Sequence, residues 1–200
     1  MPERAFIIHG YLGYPGEAWL PWLRGELERR GYQVSLPAMP HAERPGVSEW
    51  VGFIRDMVGE PDGGTVMIGH SLGGHAVLHY LEGVGRAGGS VRKTVLVASS
   101  FPVATPPGEI EEKTGGDEAL RPWMSAGVEP TMVKGAAGDC TVILSDDDPY
   151  ISLPDAKAAF QRFLGARIVI EHAKGHFNED SRVDELPSAL DAVLSQAPGA

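Results

Sequence analysis

Residues 66–77 read VMIGHSLGGHAV, and Ser71 stands there in the pattern Gly69-His70-Ser71-Leu72-Gly73, after an apolar run and before a helix-like stretch. A serine hydroxyl is a poor nucleophile at neutral pH. It needs a base to take its proton and a third group to hold that base in one tautomer and stabilise its charge. Two later segments offer these residue types in the order serine, acid, histidine: Asp146-Asp147-Asp148-Pro149 and Gly175-His176-Phe177, each following its own apolar run. Asp148 is preferred as the acid because a residue before proline is confined to extended conformations and so is pinned in place; Asp147 is the alternative. His176 is preferred as the base over His172, which sits nearer its strand and lacks a preceding glycine. The competing readings are a solvated acidic loop, a surface histidine, and a divalent-cation site, although such sites draw oxygen ligands from spaced positions.

An acyl-transfer serine also requires two N–H groups aimed at the charge that develops on the substrate oxygen. One is expected from Leu72, at the start of a helix where unsatisfied N–H groups favour an anion. The other is expected from the turn His9-Gly10-Tyr11, at the N–H of Tyr11. His75 and His79 are one helical turn apart, but Ala76 stands where a metalloprotease motif needs glutamate, so they read as helix-face packing. Neither GxGxxG nor GxxxxGK[ST] occurs, and no cofactor or metal is expected.

The chain has 200 residues, enough for one domain with its own core. A net charge of −10, from 17 Lys and Arg against 27 Asp and Glu, argues against a nucleic-acid partner and leaves a small-molecule acyl substrate as the expected one. Cys140 is the single cysteine, excludes an internal disulfide, and reads as a small buried residue at a strand start. Strand-like sequence begins almost at once, which leaves no room for a signal peptide, and no apolar run is long enough for a bilayer, so a cytoplasmic location without membrane contact is expected.

These residues need a scaffold. Short apolar runs at 4–9, 33–36, 65–69, 91–99, 141–145 and 166–171 read as strands. Helical spacing appears at 19–30, with Pro21 in its first turn and Gly31 past its end; at 48–58, with Ser48 as N-cap; and at 72–84, 154–164 and 186–195. Residues 100–118, rich in Pro, Gly, Thr and Glu, read as a long surface loop, and the tail QAPGA as frayed. Strands that are apolar throughout and alternate with helices imply a single α/β domain: a mostly parallel sheet of about six strands, helices on both faces, sites at the C-terminal strand ends. Trp19, Phe101, Trp123 and Met124 are candidates for an acyl pocket, or simply core.

With the motifs in hand, the chain resembles the α/β-hydrolase superfamily, and within it the small serine hydrolases similar to the retinoblastoma-binding-protein-9 family and its bacterial relatives. The resemblance rests on FIIHGYLG, WLPWLRGELERRGY, LPAMPHA, IGHSLGG, RPW, SDDDPYIS and GHF in order along nearly the whole chain. It implies Ser71 as nucleophile, Asp148 as acid and His176 as base, a compact fold with no large lid domain, and hydrolysis of unspecified substrates. The vertebrate family's retinoblastoma-binding motif has no counterpart around Cys140, so that partner is not implied. The expected activity is metal-independent cleavage of a carboxylic ester or related acyl group through an acyl-enzyme. A peptidase or thioesterase on the same residues, and a non-catalytic scaffold that kept the fold, are the alternatives. Dehalogenase chemistry would need aspartate at position 71.

Overall fold

The computed structural model describes residues 3–195; the tail QAPGA lies outside them. Its strands are β1 (Arg4–Ile8), β2 (Gln33–Ser35), β3 (Thr65–His70), β4 (Lys93–Val97), β5 (Asp139–Ser145) and β6 (Arg167–Glu171). All neighbours run parallel, in the order β2-β1-β3-β4-β5-β6. The helices are α1 (Leu20–Glu28), α2 (Val47–Val58), α3 (Leu72–Arg86), α4 (Ile110–Thr114), α5 (Arg121–Ser125), α6 (Pro130–Ala136), α7 (Leu153–Leu164) and α8 (Pro187–Leu194).

The apolar runs are uninterrupted because both faces of the inner strands are covered. Phe6, Ile8, Met67, Leu96, Val142 and Leu144 face one core with residues of α2, α3, α6 and α7. Ala5, Ile7, Val66, Ile68, Val95, Val97 and Ile143 face the other, with α1 and α8. At the edge, β6 leaves Ile170 exposed.

Strand order fixes where chemistry can occur. After β1 the chain turns outward to β2, and after crossing back to β3 it continues to the other side, so the order reverses between β1 and β3. Loops leaving two such strands diverge and open a crevice at their C-terminal ends. Ile8 is level with Gly69 in the β1–β3 register, so the turn after β1 and the turn after β3 begin side by side.

Two expectations change. Helix α2 starts at Val47 with Gly46 as N-cap, extended at φ −87° and ψ 131°, and its carbonyl takes the first helical bond from Trp50 N–H. Ser48 is therefore already inside the helix and caps nothing. Residues 100–118 are not an open loop: they hold a 3₁₀ turn at Pro107–Glu109 and helix α4, with Phe101, Thr105, Ile110 and Thr114 buried. Helices α5 and α6 follow, each with proline in its first turn, where the missing N–H costs no bond.

At the opposite end of the sheet, Lys93 is 2% exposed. Its Nζ lies 3.1 Å from Asp139 Oδ2 and donates to Ala192 O at 3.0 Å, so one cation meets a carboxylate and the carbonyl end of α8. Lys93→Met should lower unfolding free energy by about 3 kcal/mol, because Asp139 and the carbonyl are left without a donor. Urea unfolding checks this; a change under about 0.5 kcal/mol would contradict it.

Candidate active site

Ser71 links β3 to α3 with φ 52° and ψ −122°, a region that side-chain-bearing residues seldom occupy. Its neighbours explain how the turn stays there. A Cβ on Gly69 would lie 2.6 Å from Gly74 Cα, and one on Gly73 would collide with the carbonyls of Ile8 and His9, so only glycine lets α3 start so close to β1 and β3. Ser71 N–H donates to Val97 O at 2.9 Å, and Ser71 O accepts Gly74 N–H at 2.9 Å and Ser99 Oγ–H at 3.0 Å. The backbone is held on both sides and the hydroxyl is left outward.

His176 arrives from the turn after β6. Its Nε2 is 2.8 Å from Ser71 Oγ, and its Nδ1 is 2.9 and 3.0 Å from the two oxygens of Asp148. With Nδ1–H donating to the carboxylate, Nε2 carries the lone pair that accepts the Ser71 hydroxyl. The side chains of His176 and Asp148 are 10% and 2% exposed, so water competes little for these bonds. The ring of exposed Tyr150 stands edge-on to His176 at 4.8 Å.

The three consecutive aspartates have three different partners. Asp146 accepts Ala173 N–H at 3.0 Å and lies 2.6 Å from His172 Nδ1. Asp147 accepts Ser145 Oγ–H at 2.6 Å and Gly175 N–H at 2.8 Å, which fastens the β5 turn to the β6 turn. These bonds depress both carboxyls below the usual range: the Ala173 N–H leads for Asp146, the Ser145 hydroxyl for Asp147. Asp148 faces His176, and its Oδ1 also accepts the N–H groups of Tyr150 and Ile151 at 2.9 and 3.1 Å. Pro149, between them, has no N–H to compete. The rivals Asp147 and His172 thus sit at other bonds, and His172 is exposed, with its pKa raised by the bond to Asp146.

Leu72 follows Ser71 at the start of α3, and Tyr11 follows Gly10, where an added Cβ would lie 3.0 Å from Ser71 Cβ. Among the described residues neither backbone N–H has a hydrogen-bond partner, whereas the adjacent Leu12 N–H is engaged with Ala42 O at 3.0 Å. The turn is steadied by the Tyr11 hydroxyl, which donates to Asp117 at 2.8 Å, and by His9. Met39 N–H donates to His9 Nε2, which leaves Nδ1–H to donate to Gly10 O, both at 2.9 Å. His9 is held neutral by burial, which lowers its pKa.

Some contributors carried no sequence signal. His70 Nε2–H donates to His176 O at 2.8 Å, so the residue before the serine anchors the backbone of the histidine. Of the pocket candidates, Trp19 belongs to the α1/α8 core and donates to Phe177 O at 3.0 Å. Trp123 is fully buried beside Trp50 and donates to Pro45 O at 2.7 Å. Phe101 packs on Phe160 and Phe163, and Met124 lies half-buried against the same core. His75 Nε2 is 2.9 Å from Ser100 Oγ and His79 stands edge-on to Trp123. Among the described residues no group of three or more His, Cys, Asp or Glu is placed to hold a metal ion, and no helix is long and apolar enough to cross a membrane.

A family model described as "Serine hydrolase" matches residues 5–195. The chain is 27% identical over 199 residues to YdeN of Bacillus subtilis (strain 168), a protein named as a hydrolase, covering 98% of this chain and 96% of that one. It is 26% identical over 202 residues to serine hydrolase RBBP9 of Rattus norvegicus, covering 98% of each. The crystal structure of the B. subtilis ydeN gene product matches with a TM-score of 0.81 at 24% identity, over 96% of both chains. Est1E of Butyrivibrio proteoclasticus, solved with ferulic acid bound, matches at 0.64 and 13% identity, over 96% of this chain and 90% of that one. Both structural likenesses speak to fold, which is that of the α/β hydrolases.

Buried imidazoles make this end of the molecule acid-sensitive. Burial, then the charge of His176, pushes His70 from 6.5 down to about 4; burial, then His79, pushes His75 from 6.5 to about 3. Because the unfolded chain takes up these protons first, each contributes stability above pH 6.5 that is lost as pH falls toward the folded value, at about 1.4 kcal/mol per pH unit. His75→Gln should therefore cut the stability difference between about pH 7 and about pH 5 by about 2 kcal/mol. Equal differences in variant and wild type would contradict this.

Proposed function

We propose, since the chain belongs to the serine hydrolase family, that it cleaves a carboxylic ester or related acyl group through a covalent acyl-enzyme on Ser71. The observation that carries this reading is the continuous line of hydrogen bonds from Asp148 through His176 to Ser71 Oγ, at 2.9 and 2.8 Å. A scaffold protein would have no use for a serine held in a strained turn with its hydroxyl on an imidazole lone pair.

The steps follow from the geometry. Ser71 Oγ attacks the substrate carbonyl carbon while its proton passes to His176 Nε2, and the carbonyl oxygen, now negative, is met by the N–H groups of Tyr11 and Leu72. Asp148 stabilises the imidazolium and holds the ring. Nε2 then gives its proton to the departing oxygen, which leaves the acyl group on Ser71. Water, deprotonated by the same Nε2, attacks the acyl carbon; the bond from that carbon to Ser71 Oγ then breaks, Nε2 returns the proton to Oγ, and the acid is released. No step draws on a cofactor. Leu12, Tyr14, Val103 and Tyr150 are exposed on loops at the C-terminal edge of the sheet, an apolar rim suited to a hydrophobic acyl or alkyl group.

Hydrolysis of p-nitrophenyl butyrate by purified variants tests the assignment. His176→Ala and Asp148→Ala should each lower kcat by about a thousandfold or more. Asp147→Ala, which loses the bonds to Ser145 and Gly175 but none to His176, should cost less than about a hundredfold. Equal losses in the two aspartate variants, or an active His176→Ala enzyme, would contradict it.

A further inference from the structure

The turn after β1 and the turn carrying His176 meet along a seam. Trp19 Nε1–H donates to Phe177 O at 3.0 Å, and the Tyr14 hydroxyl donates to the Glu179 carboxylate. Glu17 lies in sequence between these two fastenings, and its carboxyl folds back over its own turn. A Cβ on Gly13 would come within 2.6 Å of Glu17 Oε2 and 3.0 Å of Gly10 O. Gly10 in turn abuts the nucleophile, since a Cβ there would lie 3.0 Å from Ser71 Cβ and 3.5 Å from Ser71 Oγ. Close contacts through Gly13, which His9 Nδ1 also approaches, and Gly10 thus connect this carboxyl to the turn that abuts the reacting hydroxyl.

Glu17 Oε2 is buried and accepts no hydrogen bond among the described residues. Neither Glu17 nor Glu179 forms an ion pair with Lys or Arg among them. A carboxylate oxygen drawn out of water without a donor of its own, on a side chain with no cation beside it, is unfavourable, and a second carboxylate nearby adds repulsion. Burial first, and then the charge of Glu179, raise the Glu17 pKa, whereas Tyr14 N–H and His176 draw it down. The mechanism assigns Glu17 no part, and a negative charge close to the oxyanion would oppose catalysis on a neutral substrate. A positive charge on the substrate offsets the repulsion between the carboxylates and turns their field from a hindrance into an attraction.

We propose that Glu17 is a specificity-determining residue that, together with Glu179, favours acyl substrates bearing a positive charge, as in esters of amino alcohols or of amino acids. This rests on the ester-hydrolase reading above and names its substrate class. The carboxylates need not touch the ammonium group. At a separation of about 8 Å and an effective dielectric constant of about 30, one unit charge favours the cation over a neutral twin by about tenfold.

Two matched pairs of esters test this at about pH 7. The first is butyrylcholine and its neutral carbon isostere neohexyl butyrate, with the charge on the alcohol. The second is alanine naphthyl ester and its N-acetyl twin, with the charge on the acid. In wild type, kcat/KM for the charged member of at least one pair should exceed that of its twin by about tenfold, and that pair identifies the side of the ester bond that faces Glu17. Glu17→Gln should bring the ratio down to about two, and the exposed Glu179→Gln, which poses little risk to folding, should lower it about twofold. A wild-type ratio at or below one in both pairs, or a ratio that survives Glu17→Gln, overturns the proposal. If wild type also fails to hydrolyse p-nitrophenyl butyrate, the ester reading itself has failed and the proposal falls with it.

Discussion

The backbone of Ser71 is the constraint on which the site depends. At φ 52° and ψ −122° the serine turns its hydroxyl out of the fold and its N–H and C=O inward, to Val97 O, Gly74 N–H and Ser99 Oγ. A strained residue persists only where its surroundings over-determine it. Here the surroundings are two parallel strands with matched register and a helix that begins where any side chain at Gly69 or Gly73 would strike backbone. The same close approach sets the turn of Gly10 and Tyr11 against Ser71, beside the start of α3 at Leu72. The strained turn and the candidate oxyanion site are two consequences of one packing arrangement.

The histidine side depends on fastening two loops together. Asp147 joins the β5 turn to Gly175, His70 holds the carbonyl of His176, and Ser181 Oγ accepts its N–H at 3.1 Å. The imidazole is thereby fixed by its own backbone before Asp148 orients its ring. Electrostatics follow the same division of labour. Burial lowers the pKa of His9, His70, His75 and His79; the neutral His70 ring lies tilted against His176 at 5.4 Å, and the formal charge nearest the imidazole that meets Ser71 is Asp148.

Much of this was legible in the sequence, for identifiable reasons. A parallel sheet covered on both faces leaves uninterrupted apolar runs, so all six strands could be located, within two residues at most ends. Ser71, Asp148 and His176 could be picked out because each follows such a run and because proline or glycine marks its turn. What escaped lies where tertiary contacts decide. Helices α4, α5 and α6 are five to seven residues long, so they have too few turns to show a period. Trp19 and Trp123 are aromatic residues of the kind that line acyl pockets, yet indole hydrogen bonds to Phe177 O and Pro45 O hold them in the cores. The anchoring role of His70 and the seam position of Glu17 depend on partners about a hundred or more residues away, which spacing along the chain does not encode.

Covalent labelling reaches the central claim, that Ser71 is the activated nucleophile, without knowledge of the substrate. The native protein is treated with a fluorophosphonate, digested, and the adduct located by tandem mass spectrometry. The account predicts one phosphonyl group on the peptide containing Ser71, absent after heat denaturation and absent from Ser71→Ala. An unmodified native protein, or a Ser71→Ala variant labelled as fully as wild type, would contradict it.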